Sequence, residues 1–327
     1  MTILVIDVAA EHSGAVTILN QFISEFKKDP LNKYIVVLSV LKYSDCENVK
    51  FVNYEWVKKS HLHRLYFDNF VVAKLVKSFK PDKILSLQNN AFRIGGIPQE
   101  VYFHNALPIS EKRYSFFESK SLWIYQNIIG FVVRKSFKYA DLIKVQAEWI
   151  KEALIKKWNV DSKKIEVKRI ELEYSKTRKE YNPEALFYPA NGSLYKNHFT
   201  LLKALIPLWN KYGTPELRLT GVITNLPKKC QRLLLNNNFP IRFLGRLTKD
   251  EMNEQYTSTI LVFPSFIETV GLPLIEAKMN GSLIMASDYQ YAHEALENYE
   301  NVFYFTPSDI DGLTELIEKQ CRLLKII

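Results

Sequence analysis

The sequence predicts an α/β protein made of two doubly wound domains. In the first half of the chain, short runs rich in β-branched residues alternate with longer amphipathic runs, and a second alternating series begins near Leu186. Such alternation is typical of a parallel sheet with helices on both faces. The 327 residues, of which 47% are hydrophobic, are enough for two cores of ordinary size. We therefore expect two Rossmann-like domains.

The first domain is predicted to begin with a buried strand and an amphipathic helix whose apolar side chains recur at helical spacing. Its strands are predicted at Thr2 to Val8, Tyr34 to Leu41, Lys83 to Leu87, Glu100 to Phe103 and Leu142 to Val145. Its helices are predicted at Gly14 to Lys27, Leu65 to Phe79, Tyr114 to Tyr139 and Ala147 to about Trp158. The second of these helices stops before Pro81, because proline cannot continue a helix.

The second domain is predicted to hold strands at 186–189, 216–220, 241–244, 259–263, 282–286 and 301–304. Between the two series, Glu171 to Glu184 is charged and weakly periodic, which is typical of a linker. The expected domains are therefore 1–172 and 186–327, joined by a linker at 173–185. Two such domains that face each other leave a cleft at the carboxyl ends of their strands, where a ligand is expected.

The composition indicates an anionic partner and a reducing compartment. The formal net charge is +9, which attracts nucleic acid, anionic lipid or phosphorylated small molecules. The three cysteines are far apart, which argues against a structural zinc site and a disulfide framework. The first apolar run, Ile3 to Ala10, is too short for a signal peptide, and no apolar run of spanning length follows. We expect a cytoplasmic protein.

The segment from Phe263 to Ala286 carries the clearest sign of chemistry. Glu268 and Glu276 are eight positions apart across a turn, and the pattern reads strand, loop, helix, strand. A helix N-terminus attracts a diphosphate through its free N–H groups and its dipole. The N–H groups expected to face this ligand belong to Val270, Gly271 and Leu272.

Each of the two carboxylates has a functional and a structural interpretation. An ionised carboxylate only accepts hydrogen bonds, so Glu276, expected in the first helical turn, suits the hydroxyls of a ribose. Glu268, in the preceding loop, suits the hydroxyls of a sugar. The structural alternative is that Glu276 only complements the helix dipole and Glu268 is a solvated loop residue.

This segment resembles the E-x7-E donor-site motif of the retaining glycosyltransferases of family 4, which have the GT-B fold. The family consensus reads approximately PS-x-x-E-x-F/V-G-L-P-x-x-E-A. The matching residues are Pro264, Ser265, Glu268, Val270, Gly271, Leu272, Pro273, Glu276 and Ala277. The resemblance implies a retaining hexosyltransferase that uses a UDP-, GDP- or other nucleoside-diphosphate sugar and no separate cofactor.

The resemblance extends upstream to the loop of Lys196. Phe187 to Ala190 and Tyr195 to His198 are similar to the family's first donor-domain strand and its lysine loop. A lysine there neutralises the leaving diphosphate. The alternative for Lys196 is a solvated loop charge.

Many relatives carry an arginine just after this strand as a second phosphate contact, whereas this chain has Ala190 and Asn191. Arg246 is the predicted substitute. It follows Gly245, whose loop lies near the nucleotide base in the family. The alternative for Arg246 is a surface residue after a glycine turn.

In the first domain, Gly14 and His104 match two further family positions. Ser13-Gly14-Ala15 resembles the acceptor loop, in which Gly14 brings N–H groups near the donor phosphate, although a simple helix start explains it equally. His104 follows a predicted strand at the family's cleft histidine, which touches the transferred sugar. The alternative for His104 is a structural histidine.

A metal ion is not expected. Asp309-Ile310-Asp311 matches the D-x-D of metal-dependent glycosyltransferases, but it precedes the last predicted helix, so a helix cap is the better interpretation. No histidine cluster has metal-ligand spacing. We predict a metal-independent enzyme, with Lys196 and helix dipoles in place of the cation.

The stretch from Lys112 to Tyr139 is basic and aromatic, with six basic residues against one acid, Glu118. Its interleaved aromatic residues include Phe116, Phe117, Trp123, Tyr125, Phe131 and Phe137. One interpretation is a core-packing helix with a solvated basic face. The other is a surface that docks on anionic lipid and receives a lipid-linked acceptor. No recognised nucleic-acid motif accompanies these residues, so nucleic acid is not an expected partner.

The main prediction is a retaining glycosyltransferase of bacterial surface-polysaccharide assembly, such as O-antigen or capsule. Its acceptor would be a glycan, alone or linked to polyprenyl diphosphate, at the inner face of the cytoplasmic membrane. The first alternative is a GT-B nucleotide-sugar epimerase, which would need further acid and base carboxylates. The second is a non-enzymatic basic protein that binds nucleic acid or membrane.

Overall fold

The computed structural model describes residues 1–11, 13–170, 181–235 and 237–327. The chain divides into two compact units, Met1–Ile170 and Glu171–Ile327. Residues 173–180 of the predicted linker at 173–185 lie outside the described residues. The boundaries of the linker stay a prediction. Each unit contains one parallel β-sheet with helices between the strands, so the predicted α/β class is confirmed.

The first unit contains a seven-stranded parallel sheet in the order β3-β2-β1-β4-β5-β6-β7. In the described residues the strands are β1 (Thr2–Asp7), β2 (Lys33–Leu38), β3 (Val49–Asn53), β4 (Lys83–Ser86), β5 (Gln99–Phe103), β6 (Leu142–Val145) and β7 (Ile165–Val167). The strand order reverses between β1 and β4, which pair directly. A doubly wound sheet binds its ligands at the carboxyl ends of such a strand pair.

Helices cover both faces of this first sheet. In the described residues they are α1 (Ser13–Lys27), α2 (His61–Tyr66), α3 (Val72–Phe79), α4 (Lys120–Ile124), α5 (Gly130–Ser136) and α6 (Glu148–Trp158). A π-helical turn, Phe67–Val71, joins α2 to α3, and a second, Tyr125–Ile129, joins α4 to α5. Each π turn adds a residue to the helical winding, a feature often found next to functional sites.

The core of the first unit follows from the alternation of side chains along β1. Ile3 and Val5 pack on the side of α1, while Leu4 and Ile6 pack on the side of α3. Successive side chains of a strand point to opposite faces, so a strand covered on both faces must be apolar throughout. This is why β1 reads as a continuous apolar run in the sequence.

The second unit contains a six-stranded parallel sheet in the order β10-β9-β8-β11-β12-β13. In the described residues its strands are β8 (Ala185–Tyr188), β9 (Leu217–Leu219), β10 (Ile241–Phe243), β11 (Thr259–Phe263), β12 (Ile284–Ser287) and β13 (Val302–Phe305). Its helices are α7 (His198–Tyr212), α8 (Lys228–Leu235), α9 (Lys249–Ser258), α10 (Leu272–Met279), α11 (Gln290–Ala295) and α12 (Ile310–Leu323). The strand order reverses between β8 and β11, which places a second ligand-binding edge there.

Two strands escape the sequence prediction, and the bounds of most other strands and of several helices differ from it. The strands β3 and β7 were not predicted. Each is a short strand at one edge of the first sheet and has no apolar run of its own. Pairing with a preformed neighbour decides such strands. The helix predicted from Tyr114 begins at Lys120 instead, since the side chain of Ser119 accepts the N–H of Leu122 and caps it there.

Asp309 caps the last described helix, as predicted. Its Oδ1 accepts the N–H of Gly312 at 2.9 Å. We expect Asp309→Ala to lower the free energy of unfolding by about 1 kcal/mol, because one helix N–H loses its acceptor. Asp309→Asn keeps an acceptor and should stay within about 0.5 kcal/mol of the native chain. Chemical denaturation measures both. Equal losses in the two variants would contradict the cap.

Candidate active site

Lys196 and Glu268 meet at the ligand-binding edge of the second sheet. Lys196 closes a short helical turn after β8, and Glu268 lies in the loop after β11. Their Nζ and Oε1 atoms are 2.6 Å apart, and only 15% and 12% of the two side chains is exposed. An ion pair with so little solvent around it interacts more strongly than a surface pair. The two residues predicted to hold the diphosphate and the sugar are therefore brought together.

The buried side chain of Tyr188, at the end of β8, ties the two loops to each other. Its hydroxyl donates to the carbonyl of Lys196 at 2.7 Å and lies 2.7 Å from the Oγ of Ser265. Because the tyrosine proton goes to the carbonyl, the hydroxyl of Ser265 donates to the tyrosine oxygen. The serine of the sequence motif thus holds the Glu268 loop against the Lys196 loop.

Asn197 is a further positioning residue, and the sequence analysis did not single it out. It is buried and adopts a left-handed conformation with φ of 56°. Its Nδ2 donates to the carbonyls of Pro264 at 3.1 Å and Pro307 at 2.8 Å. Asparagine tolerates this conformation better than most residues. It turns the chain from Lys196 into α7 while binding the neighbouring loops.

Glu276 lies just past the first turn of α10, although it was predicted to be within that turn. The helix begins at Leu272, so Glu276 falls in its second turn, and the prediction of the first turn is wrong. Its Oε2 accepts the hydroxyl of Tyr256 at 2.7 Å. Burial raises the pKa of the Glu276 carboxyl, and the hydrogen bond from Tyr256 acts in the opposite direction. The tyrosine fixes the orientation of this carboxylate.

The start of α10 has the predicted form of an anion site. Gly271 precedes the helix with φ of 74°, and Pro273 occupies the first turn. A Cβ atom at Gly271 would lie 3.1 Å from a side-chain carbon of Leu274, so both space and conformation favour glycine. The first N–H groups of a helix have no partner within the helix. This is the feature that predicts a diphosphate near Val270, Gly271 and Leu272.

A cavity of about 590 Å³ lies at the carboxyl ends of β8, β9 and β10. Its lining residues are Ala190, Asn191, Gly192, Ser193, Thr220, Gly221, Asn225, Leu226, Gly245 and Arg246. Ala190 and Asn191, which stand where relatives carry an arginine, therefore share a cavity with Arg246. Gly245 and Arg246 both line this cavity. Lys196, Glu268 and Glu276 do not line it.

Bare backbone forms much of this cavity. Gly221 and Gly245 exchange two hydrogen bonds, with N···O distances of 2.7 and 3.1 Å. Both have positive φ, of 79° and 69°. At Gly192 a Cβ atom would fall 1.5 Å from the carbonyl oxygen of Asn225, so no side chain fits. Gly192 has no signal in the sequence, because only its contact with the distant turn of Asn225 makes a glycine necessary.

In the first unit, His104 follows β5 and has a fixed orientation. Its Nε2 donates to the carbonyl of Leu87 at 2.9 Å, and its backbone N–H donates to Asn89 Oδ1 at 2.7 Å. Burial lowers the pKa of the His104 ring, so the ring is neutral at neutral pH. Gly14 is the second residue of α1. Their predicted contacts with the donor stay predictions.

Two features are absent from residues 1–11, 13–170, 181–235 and 237–327. In that part of the chain, no group of three or more His, Cys, Asp or Glu residues is arranged to hold a metal ion. Within the same residues, no helix has the length and apolar character needed to cross a membrane. Metal independence itself stays a prediction.

The second half of the chain matches a known protein family. Residues 170–322 match the family described as glycosyl transferases group 1. A stretch of 183 residues, 55% of this chain, is 25% identical to the O-antigen chain mannosyltransferase RfbU of Salmonella typhimurium. The chain spans about half of the length of that relative, since the match covers 50% of it. These similarities support a glycosyltransferase.

Solved structures of the same architecture are similar over the whole chain. WaaG, a glycosyltransferase involved in lipopolysaccharide biosynthesis, has a TM-score of 0.68 at 13% identity, and the match covers 100% of this chain and 92% of WaaG. Anabaena HepE, solved with UDP-glucose, has a TM-score of 0.65 at 16% identity, covering 100% and 91%. At such identities the likeness concerns the fold alone, and it confirms GT-B, with two parallel-sheet α/β domains. The predicted cleft between them stays a prediction.

The burial of His198, the first residue of α7, determines part of how the free energy of unfolding depends on pH. The side chain is 1% exposed, and neither ring nitrogen has a partner in the described part of the protein. Burial, with a smaller contribution from the charge of Lys196, lowers its pKa to about 4. The unfolded chain binds this proton below about pH 6.5, so stability is full above that pH and falls as the pH drops towards 4.

We expect the free energy of unfolding to be lower by about 2 kcal/mol at pH 5 than at pH 7 on account of His198. His198→Phe should remove that part of the pH dependence, because the ring no longer takes up a proton on unfolding. The exposed residue His61 offers the control His61→Phe, which should leave the dependence unchanged. Denaturant titrations at the two pH values measure the difference. An unaltered pH profile in His198→Phe would refute the assignment.

Proposed function

We propose that this chain is a retaining glycosyltransferase of family 4, which moves a hexose from a nucleoside-diphosphate sugar to a glycan acceptor. The observation that carries the proposal is the shielded Lys196–Glu268 pair, placed 2.6 Å apart at the reversal point of the second sheet. Both residues lie within the matched range 170–322. The UDP-glucose bound in the HepE structure supports a nucleotide-sugar donor.

In this proposal the donor is bound by backbone and side-chain groups of the second unit. The diphosphate lies on the N–H groups of Val270, Gly271 and Leu272, and the ammonium of Lys196 adds a full positive charge. Glu268 accepts hydrogen bonds from the sugar hydroxyls. Glu276 accepts them from the ribose, with its second oxygen held by Tyr256 at 2.7 Å. Gly245 and Arg246 lie towards the nucleotide in the backbone-lined cavity.

The transfer step exchanges one bond for another without a change of oxidation state. The bond between the anomeric carbon and the diphosphate oxygen breaks, and the anomeric carbon bonds to the acceptor hydroxyl oxygen. The hydroxyl proton leaves with the diphosphate. Negative charge grows on the leaving oxygen, so Lys196 and the helix N-terminus stabilise the transition state more than the bound donor. These groups perform the charge neutralisation that a metal ion performs elsewhere, and no cofactor takes part.

The first unit supplies the acceptor side in this proposal. The neutral ring of His104, fixed by the carbonyl of Leu87, contacts the transferred sugar, and the N–H groups at Gly14 approach the donor phosphate. The O-antigen relative and the lipopolysaccharide enzyme WaaG support a role in bacterial surface-polysaccharide biosynthesis. The acceptor is then a glycan, free or carried on polyprenyl diphosphate.

The basic and aromatic stretch from Lys112 to Tyr139 has both buried and exposed aromatic side chains. Phe137 is buried in the core at 4% exposure, whereas Phe117 is 98% exposed and Phe131 is 58% exposed. Exposed aromatic side chains beside lysines favour attachment to an anionic bilayer. We place the enzyme in the cytoplasm, in peripheral contact with the inner face of the cytoplasmic membrane.

Removing either member of the central pair should abolish transfer. Lys196→Ala and Glu268→Ala are each expected to lower kcat by about a thousandfold or more, because the leaving charge or the sugar loses its partner. Circular dichroism should show a retained fold. Lys203→Ala, which removes an exposed lysine of α7, is the matched control and should keep native turnover.

The assay should follow donor consumption with and without acceptor glycan. An epimerase would consume the donor without acceptor, so the two activities are separated in one experiment. Near-native turnover in both Lys196→Ala and Glu268→Ala would contradict the assignment of these two residues to the donor site.

Arg246 is predicted to replace the missing second phosphate contact. Arg246→Ala should weaken binding of a nucleoside diphosphate by about tenfold, because a charge-assisted hydrogen bond is lost. Binding of the corresponding nucleoside should not change, since it carries no phosphate. Arg242→Ala, an exposed arginine of β10 outside the cavity lining, is the control. Titration calorimetry measures the affinity of the native chain and of each variant for both ligands. Equal losses for nucleoside and diphosphate would contradict a phosphate contact.

A further inference from the structure

The cavity at the carboxyl ends of β8, β9 and β10 contains a flat patch of main chain, formed by Gly221 and Gly245. The two residues form an isolated antiparallel bridge, in which the N–H of each donates to the carbonyl of the other. Neither has a side chain, so the hydrogen-bonded peptide groups themselves form this part of the cavity wall. A flat aromatic ring can lie close against such a surface.

The polar groups of the Gly221–Gly245 patch already have partners. The N–H and the carbonyl of Gly221 bond to those of Gly245, with N···O distances of 2.7 and 3.1 Å. The patch can therefore hold a nucleotide base by contact, but it does not distinguish one base from another. That distinction depends on the side chains around the patch, because bases differ in the donors and acceptors along their edges.

Asn225 lies at the border of this patch. A Cβ atom on Gly221 would be 3.1 Å from the Oδ1 of Asn225, so the carboxamide lies directly beside this glycine. The same Oδ1 accepts the N–H of Val222 at 3.1 Å. A backbone N–H can only donate, so the atom that faces it must be the amide oxygen. The orientation of the amide is thereby fixed, and its Nδ2 is the group left for a ligand.

The other side chains of the cavity also offer donors. The Oδ1 of Asn191 accepts the N–H of Ser193 at 3.1 Å, so the Nδ2 of Asn191 is again the group left over. The guanidinium of Arg246 has donors only. Among the described residues that line the cavity, none carries a carboxylate. The lining therefore suits a ligand whose edge accepts hydrogen bonds.

The bases of nucleoside diphosphates differ in this property. Uracil has two carbonyl oxygens, and both accept hydrogen bonds. Cytosine carries an amino group in place of the O4 carbonyl, and guanine carries an amino group beside a ring N–H. An amino group that faces the Nδ2 of Asn225 places a donor against a donor, so it loses the hydrogen bond that it makes with water.

We infer that Asn225 selects uracil. Its Nδ2 donates to the O4 carbonyl of a uracil ring that lies on the Gly221–Gly245 patch, and the N–H of Val222 holds the amide in the required orientation. This inference rests on the proposed nucleotide-sugar donor and names its base, so the donor is a UDP-sugar. Asn225 contributes to specificity here and takes no part in the transfer step.

UDP and CDP are matched probes of this contact, because their bases differ only at O4 and at the adjacent ring nitrogen. In calorimetric titrations the native chain should bind UDP about tenfold more tightly than CDP, since only UDP offers an acceptor to Asn225. GDP should also bind about tenfold more weakly than UDP, because its amino group and ring N–H meet no carboxylate. CDP or GDP affinity equal to or above that of UDP would overturn the inference.

The role of Asn225 is tested by Asn225→Asp. This change turns the free donor into an acceptor and keeps an oxygen for the N–H of Val222. It should reverse the preference, so that CDP binds more tightly than UDP, because the amino group gains an acceptor and the uracil O4 faces a carboxylate. The added charge weakens both diphosphates, and the ratio of the two affinities removes this common effect. An unchanged ratio would refute the assignment to Asn225.

Asn191→Asp is the matched control, since it makes the same chemical change in another residue of the same lining. It should lower the affinities for UDP and CDP by one common factor and leave their ratio as in the native chain. Circular dichroism should show a native fold for both variants. A reversed ratio in Asn191→Asp as well would assign the effect to added charge and contradict the role of Asn225.

The same titrations separate this inference from the proposed function. A native chain that prefers CDP or GDP to UDP still binds a nucleoside diphosphate, so only the choice of uracil fails. A native chain that binds none of the three would count against the proposed function itself.

Discussion

The hydrogen bonds that join the loop after β8 to the loop after β11 are the constraint on which the second unit depends. The hydroxyl of Tyr188 binds the carbonyl of Lys196 and the Oγ of Ser265, and the side chain of Asn197 binds the carbonyl of Pro264. Both connecting side chains are buried, so each lost bond would leave a polar group unsatisfied in the interior. The network therefore sets the 2.6 Å contact of Lys196 with Glu268 as a property of the folded loops. Charges that the fold already holds in place need no reorganisation when a charged ligand meets them.

The two units treat their ligand-binding edges differently. In the second unit, the cavity is formed largely by backbone, and the Cβ of any other residue at Gly192 would overlap a carbonyl. Such a surface lets a flat or extended ligand lie close to the main chain. In the first unit, a cavity of about 610 Å³ is lined by side chains, among them the amides of Gln88, Asn89 and Asn105 and the apolar side chains of Ile128 and Val132. Side-chain surfaces change easily with sequence, while backbone surfaces do not.

Much of the fold followed from local patterns. The strands β6 and β11 have the predicted bounds, and most other predicted strands differ from the observed ones by one or two residues at an end. Buried parallel strands are apolar throughout, so they stand out from the amphipathic helices between them. The strands β3 and β7 escaped prediction, because pairing at an already formed sheet stabilises them and their own composition does not. The π turns in the first unit also have no local signal, since a continuous helix has the same apolar spacing.

For the site, the sequence by itself determined which residues form the predicted motif, because Pro264, Ser265, Glu268, Gly271 and Glu276 lie in one short segment of the chain. It also determined Lys196, which follows a buried strand. Only the tertiary structure decided that Lys196 touches Glu268 across 72 positions, that Tyr256 holds Glu276 and that Gly192 admits no side chain. The physical reason is the same in each case. Hydrogen bonds and steric contacts between distant segments depend on how the strands are ordered in the sheet. No short stretch of the sequence determines that order.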